Sequence, residues 1–502
     1  MEILSHLALG FSVALSFENL LYCMFGVIVG TAIGVLPGLG PLATIAMLLP
    51  LTYTLEPTSA LIMLSGIYYG AQYGGSTTAI LVNLPGESAS VVTCLDGHKM
   101  ALNGRAGSAL AIAALGSFFA GTVGTALIAG FAPVLATFAF NFGPAEYFAL
   151  MVLGLVAAVT LAHGSLLKAL AMVVFGLVLG CIGIDVNSGV ARLDFGFLEL
   201  ADGIEFVAIA MGVFAFTDII VNWRKKQQEP VLAAKVTSLM PSREEFKESW
   251  PAAIRGTALG CVLGLLPGGG ATLSSFASYT IEKRVSRHPE RFGHGAPAGV
   301  AGPESANNAG SQSSFIPMLT LGIPSNGVMA LMIGAMMIHD IVPGPQIMTE
   351  NAPMFWGLVV SMWIGNLMLL VLNLPMVGIW VKLLRVKYDV LAPLILIFCL
   401  IGLYSIHNQS FEIYLAAIFA VVGYLFKRMN CEPAPLLLGF ILGPMMEENL
   451  RRALLLSRGS AMTFIERPIS AGLLVVSALI LAVVLSPALR RKREEVFAEE
   501  EA

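Results

Sequence analysis

Two polar stretches stand out in an otherwise oily chain. Gln72-Tyr73-Gly74-Gly75-Ser76-Thr77-Thr78 and Asn307-Asn308-Ala309-Gly310-Ser311-Gln312-Ser313-Ser314 set amides, hydroxyls and glycines in rows among apolar residues. Left unpaired in hydrocarbon, such groups cost several kcal/mol each. Grouped around a cavity, they replace the water shell that a carboxylate or a cation loses on leaving solvent. Hydrogen bonding between helices is the structural alternative. A run of eight polar or small residues favours binding. Glu304 lies just before the second stretch. At membrane depth it would take up H⁺ or help hold Na⁺; near Pro297 and Pro303 it would instead be a solvated carboxylate at a helix start, and both readings stay open.

A second pair of features adds backbone chemistry. Gly30 to Pro41 returns as Gly260 to Ala271, with six of twelve positions identical at an offset of 230 residues. Each copy holds a tip, Pro37-Gly38-Leu39-Gly40 and Pro267-Gly268-Gly269-Gly270, with Thr272 just past the second. Glycine admits close approach of a ligand to backbone, and proline stops a helix. A broken helix exposes N–H groups at one end and C=O groups at the other. The N–H end suits a carboxylate; the C=O end, near Gly38 and Gly268, suits Na⁺. A kink or tight packing is the alternative, and Gly26, Gly30 and Gly34 do form a small-residue stripe. Recurrence at matching positions favours a binding site. No side-chain metal cluster is expected.

The elements that position these motifs follow from composition. The 502 residues are 57% hydrophobic and 12% charged, and mean hydropathy is +0.82. Runs such as 106–130 are near bilayer length without alternation, which predicts an all-α polytopic membrane protein and not a β-barrel. The six scattered cysteines read as packing residues. Residues 1–18 read as an interfacial helix, not a signal peptide.

Repeat 1 spans 19–222. It opens with a re-entrant hairpin, 19–36, tip and return to Pro50, followed by a helix at 57–84 broken at 74–78. Helices at 106–130, 145–163, 165–184 and 203–222 complete it. Residues 223–250 form a polar linker carrying Arg224, Lys225, Lys226 and Lys235, cytoplasmic by the positive-inside rule. Repeat 2, 251–453, has a hairpin at 251–282, a broken helix at 299–325, and helices at 355–381, 391–406, 411–426 and 434–450. Residues 454–502 hold a final transmembrane helix, 469–488, and a basic and acidic cytoplasmic tail. Lys283, Arg284, Arg287 and Arg291 follow the second hairpin, whereas 51–57 has no basic residue. Matching segments then run in opposite directions, giving inverted-topology repeats. A parallel arrangement is the alternative, and Arg451, Arg452 and Arg458 on the outer side count towards it. Glu146, Asp218 and Asp340 read as interfacial.

No His-Glu-x-x-His, Walker loop or Gly-x-Ser-x-Gly elbow occurs. The chain reads as no enzyme, with no cofactor and no nucleic-acid partner. Transport would be driven by an ion gradient or a missing subunit. A membrane-embedded binding or scaffold protein without transport, or a carrier for a non-carboxylate solute, is the rival.

The motifs resemble the large membrane subunit of the tripartite tricarboxylate transporters, the TctA family. The carrying segments are Gly34-Val35-Leu36-Pro37-Gly38-Leu39-Gly40-Pro41, Tyr69-Gly70-Ala71-Gln72-Tyr73-Gly74-Gly75-Ser76, Leu266-Pro267-Gly268-Gly269-Gly270 and Pro303-Glu304-Ser305-Ala306-Asn307-Asn308-Ala309. Asp202-Gly203-Ile204 and Gly439-Phe440-Ile441-Leu442-Gly443 are similar too. The resemblance implies a multi-pass permease of the bacterial inner membrane. It implies two partners, a small TctB-like membrane subunit and a TctC-like periplasmic solute-binding protein. It also implies organic acid substrates such as citrate, Na⁺ or H⁺ as coupling ion, and elevator motion.

Overall fold

The computed structural model describes residues 2–36, 40–139, 141–161, 165–185, 188–224, 239–266, 270–383 and 388–485. Its main helices are α1 Glu2–Ala14, α2 Phe17–Val35, α3 Pro41–Thr52, α4 Pro57–Val82, α5 Ala106–Ala139, α6 Pro144–Leu161 and α7 Leu166–Gly180. After a short antiparallel pair, Gly183–Ile184 with Ala191–Arg192, comes α8 at 206–224, π-wound over Met211–Phe216. Next are α9 Arg243–Leu263, α10 Gly270–Val285, α11 Ala298–Ser313, α12 Phe315–Leu321, α13 Gly327–Ile338 and α14 Ala352–Asn373. The last are α15 Tyr388–His407, α16 Phe411–Arg428, α17 Ala434–Leu456 and α18 Pro468–Leu485. Phe17–Val35, Ala101–Leu135 and Ala352–Asn373 are long and apolar enough to cross a membrane.

The expected break at 74–78 is absent: α4 runs unbroken to Val82. The hydroxyls of Ser76, Thr77 and Thr78 bond back to the carbonyls of Gln72, Tyr73 and Gly74, at 3.0, 3.4 and 3.4 Å, which a continuous helix allows. The helix stops at Asn83, left-handed at φ 58°, just before Pro85. In the second half, α11 passes into α12 at Ser314, and the chain turns at Gly322, φ 71°, just before Pro324. Asn83 and Gly322 lie 239 residues apart. One further expectation changes. The end of the linker is helical, because Ser242 and Glu245 form a capping box that starts α9. Glu146 is buried within the protein and pairs with Arg467 at 2.8 Å beside the contact of α6 with α18.

One packing device occurs twice. Gly26, Gly30 and Gly34 of α2 press on the backbone of Met63, Ile67 and Ala71 of α4, so closely that a Cβ would collide. At an offset of 230, Gly256, Gly260 and Gly264 of α9 press on Gly302, Ala306 and Gly310 of α11. Lipid gives apolar helices little reason to associate, so close backbone packing supplies the attraction. Contacts also exchange between halves. Helix α5 lies on α11 and α14 on α4; α7 lies on α17 and α16 on α8. The N-terminal α1 packs along α14, with His6 stacked on Trp356 at 5.1 Å.

A buried carboxylate joins distant parts of the chain. Asp96 Oδ1 accepts from the backbone N–H groups of Gly293, Gly295 and Ala296 at 2.8–2.9 Å. Its Oδ2 accepts from the hydroxyl of Tyr279, on α10, at 3.0 Å.

The glycine contacts give a direct test. Gly30→Val or Gly260→Val should lower stability by about 1–3 kcal/mol or more through overpacking, read as thermal unfolding in detergent. Gly130→Ala and Gly472→Ala, where a Cβ meets nothing within 4 Å, should leave the transition within about 0.5 kcal/mol of the wild type.

Candidate substrate cavity

A cavity of about 340 Å³ lies where the starts of four helices converge. Gly40 to Ala43 open α3, Gly270 to Thr272 open α10, Asn326 to Val328 open α13, and Ala434 and Pro435 open α17; all line it. Neither α3 nor α17 has a side-chain cap. Helix starts carry unpaired N–H groups and partial positive charge, so their convergence favours an anion. The remaining lining residues include the polar Tyr68, Gln72, Glu87 and Ser88 and the apolar Phe214 and Leu438.

Side chains from both halves meet across this space. The Ser88 and Thr272 hydroxyls are 2.9 Å apart. Asn326 Nδ2 donates to the Tyr68 hydroxyl at 3.3 Å and to Ser314 Oγ at 3.4 Å, and its Oδ1 caps α13 through Met329 N–H at 3.0 Å. Asn307 Nδ2 donates to Glu87 Oε1 at 3.3 Å. Gln72, with its amide nitrogen turned to these oxygens, reaches Glu87 Oε1 and Asn307 Oδ1, each at 2.7 Å. Gly75 leaves room for Glu87, whose Cγ a Cβ at that position would meet at 3.0 Å. Among the described lining residues there is no Lys, Arg or His; the charged ones are Glu87, Asp218 and Glu432. Asp218 lines the cavity and also pairs with Lys427 at 2.7 Å.

Glu304 is fully buried, behind the cavity wall and not at a solvated helix start. Its carboxylate accepts from Ser76 Oγ at 2.5 Å and from the Thr93 hydroxyl. Other members of the polar stretches hold helices together. Tyr73 donates to Asn366 Oδ1 of α14 at 2.7 Å, and Asn308 donates to Ser117 Oγ of α5 at 2.7 Å. Thr78 also reaches the Val35 carbonyl at 2.8 Å. Ser311 bonds back to Asn307, while Ser313 and Ser314 bond to Gly260 and Gly264 on α9 as well as to Gly310. Gly74 and Gly310 serve helix contact, and Gln312 is buried away from the cavity lining.

Of the residues singled out in the sequence, Gly40, Gln72, Gly270 and Thr272 line the cavity, and Asn307 contacts Glu87 on its wall. Pro37, Gly38, Leu39, Pro267, Gly268 and Gly269, and with them the carbonyls considered for Na⁺, lie outside the described residues. Tyr68, Glu87, Ser88 and Asn326 escaped the sequence reading. Their signal was position: Glu87 follows Pro85-Gly86 as Asn326 follows Pro324-Ser325, again 239 residues apart. Thr93→Val removes one of the two hydroxyls on Glu304 at nearly constant volume. It should cost about 1–3 kcal/mol of stability by leaving a buried acceptor short of a partner, measured by chemical or thermal unfolding in detergent.

The chain matches the family described as "Tripartite tricarboxylate transporter TctA family" over residues 20–438. It is 56% identical over 501 residues, the whole of both chains, to an uncharacterized 52.8 kDa protein in the TAR-I ttuC' 3'region of Agrobacterium vitis. It is 54% identical over 242 residues to an uncharacterized protein in the TAR-II ttuC' 3'region of the same organism, covering 48% of this chain and all of that one. No solved structure matches the chain. The chain belongs to the TctA family of the tripartite tricarboxylate transporters, as a multi-pass membrane protein.

Proposed function

We propose that this protein is the permease subunit of a tripartite uptake system for tricarboxylates or related organic acids. A periplasmic binding protein delivers the substrate, a small membrane subunit assists, and a Na⁺ or H⁺ gradient across the bacterial inner membrane drives uptake. The observation that carries this reading is the cavity where four helix starts converge, with no basic side chain among its described lining residues. Such a site holds an anion by N–H groups, hydroxyls and amides. It leaves the charge of the anion, and of Glu87, to be balanced by cations that travel with it.

An inverted relation between the halves is part of the proposal. Tyr68 and Asn307 are 239 residues apart, as are Glu87 and Asn326. The contacts Asn307–Glu87 and Tyr68–Asn326 are therefore one contact with the halves exchanged. Thr272 beside Ser88 is matched in the same way by Leu42 beside Gly327. Reciprocal contacts of this kind are the mark of an approximate two-fold axis. The loop charges favour an axis in the membrane plane. Alternating access would then carry α2–α4 and α9–α11, with α5 and α14 packed on them, against a frame that includes α7, α8, α16 and α17.

Uptake of labelled di- and tricarboxylates into proteoliposomes tests the site. Gln72→Ala, Asn307→Ala, Asn326→Ala and Thr272→Val each remove a polar group at or directly behind the cavity wall. A hydrogen bond to a charged group is worth about 1.5–3 kcal/mol, so KM should rise about tenfold or more. Unchanged KM and kcat in all four would sink the assignment, and substrate binding without gradient-dependent uptake would favour a binding or scaffold role.

A further inference from the structure

We propose that Glu87 is a proton site of the carrier. Its carboxylate takes up one H⁺ from the medium as the anion enters and releases it on the other side; this rests on the carboxylate-uptake reading above. Glu87 sits on the cavity wall, at the start of the turn Ser88–Ser90 that follows α4. Its oxygens face amide nitrogens: Gln72 Nε2, so turned, at 2.7 and 3.1 Å, and Asn307 Nδ2 at 3.3 Å. A metal cation at these oxygens would meet N–H hydrogens, not the several oxygen ligands that hard cations require.

The surrounding charges point the same way. From α4, Glu87 faces the Tyr68 hydroxyl and the Gln72 amide; from α11, Asn307 and, one turn earlier, Glu304. Asp218 of α8, which pairs with Lys427 at 2.7 Å, and Glu432 before α17 also line the cavity. The lining residues of α10 and α13 bring no charge. Apart from Lys427, each of these groups is neutral or acidic. A substrate carboxylate placed beside an ionised Glu87 would therefore meet like charge. Two such charges at 4 Å repel by about 1 kcal/mol even in bulk water, and more where water is excluded. One proton on Glu87 removes the repulsion and turns an acceptor oxygen into an O–H donor for the anion. The proton comes from the bulk on entry and returns to the bulk on exit, with the substrate unchanged.

The experiment uses proteoliposomes holding the full chain together with the proteins encoded beside it. Labelled citrate, malate, succinate and tartrate serve as probes, under either a pH gradient or a Na⁺ gradient. A pH step of about one unit supplies about 1.4 kcal/mol per proton, so wild-type accumulation should rise about tenfold and the outside medium should turn alkaline as the acid enters. In Glu87→Gln the ratio of accumulation with and without the pH step should fall to about one, whatever the absolute rate, and Glu87→Asp should restore it. A wild type that responds to Na⁺ alone, or takes up acid without alkalinising the medium, overturns the proton site and leaves the uptake reading intact. So does a Glu87→Gln protein with the wild-type ratio. Should Glu87→Gln give no uptake at all, the wild-type proton count and the Asp variant decide. No accumulation of any probe on either gradient would instead overturn the uptake reading itself.

Discussion

Contact of helix on helix without intervening side chains is the constraint on which the rest of this structure depends. Gly26, Gly30 and Gly34 bring α2 onto α4, and Gly256, Gly260 and Gly264 bring α9 onto α11. In lipid, where apolar surface gives little net attraction, this intimacy is what fixes the position of one helix on the next. The polar stretches ride on α4 and α11, so their placement at the centre follows from the glycine stripes. Once α4 is set, the turn at Asn83 delivers Glu87 to the cavity wall. Once α11 and α12 are set, the turn at Gly322 delivers Asn326.

Much of this was legible in the sequence, though in uneven parts. The hairpin breaks, the helix order and the polar cores of α4 and α11 follow from residue type and repetition. What the residues do within those cores does not follow so simply. Ser, Thr and Gly inside an apolar helix serve equally well for a site, for a back-bond to the preceding turn, or for a close crossing. Thr77, Ser311, Ser313 and Gly74 took the packing roles, whereas Gln72, with a longer arm and an amide, reached the cavity.

The residues that escaped notice did so for a geometric reason. Tyr68 lies one turn before the first polar stretch, and Glu87 and Asn326 lie just beyond the helix ends. Reading along the chain stops at such boundaries; folding brings them back beside the hairpins. The internal offset grows from 230 at the hairpins to 239 at α4 and α11, because the second half carries nine more residues between them. Only after that slip is allowed for do Glu87 and Asn326 fall on equivalent positions, one acidic and one neutral.

The Asp96 carboxylate has a consequence for how the chain is made. Its three backbone donors lie at 293–296 and its hydroxyl donor at Tyr279, almost two hundred residues further along. A ribosome adding roughly 5–20 residues per second reaches that loop on the order of ten seconds or more after Asp96 emerges. Through that interval the Asp96 carboxylate lacks these four donors. The first half of the chain can thread its helices early, but this part of its interior waits for the second half to arrive.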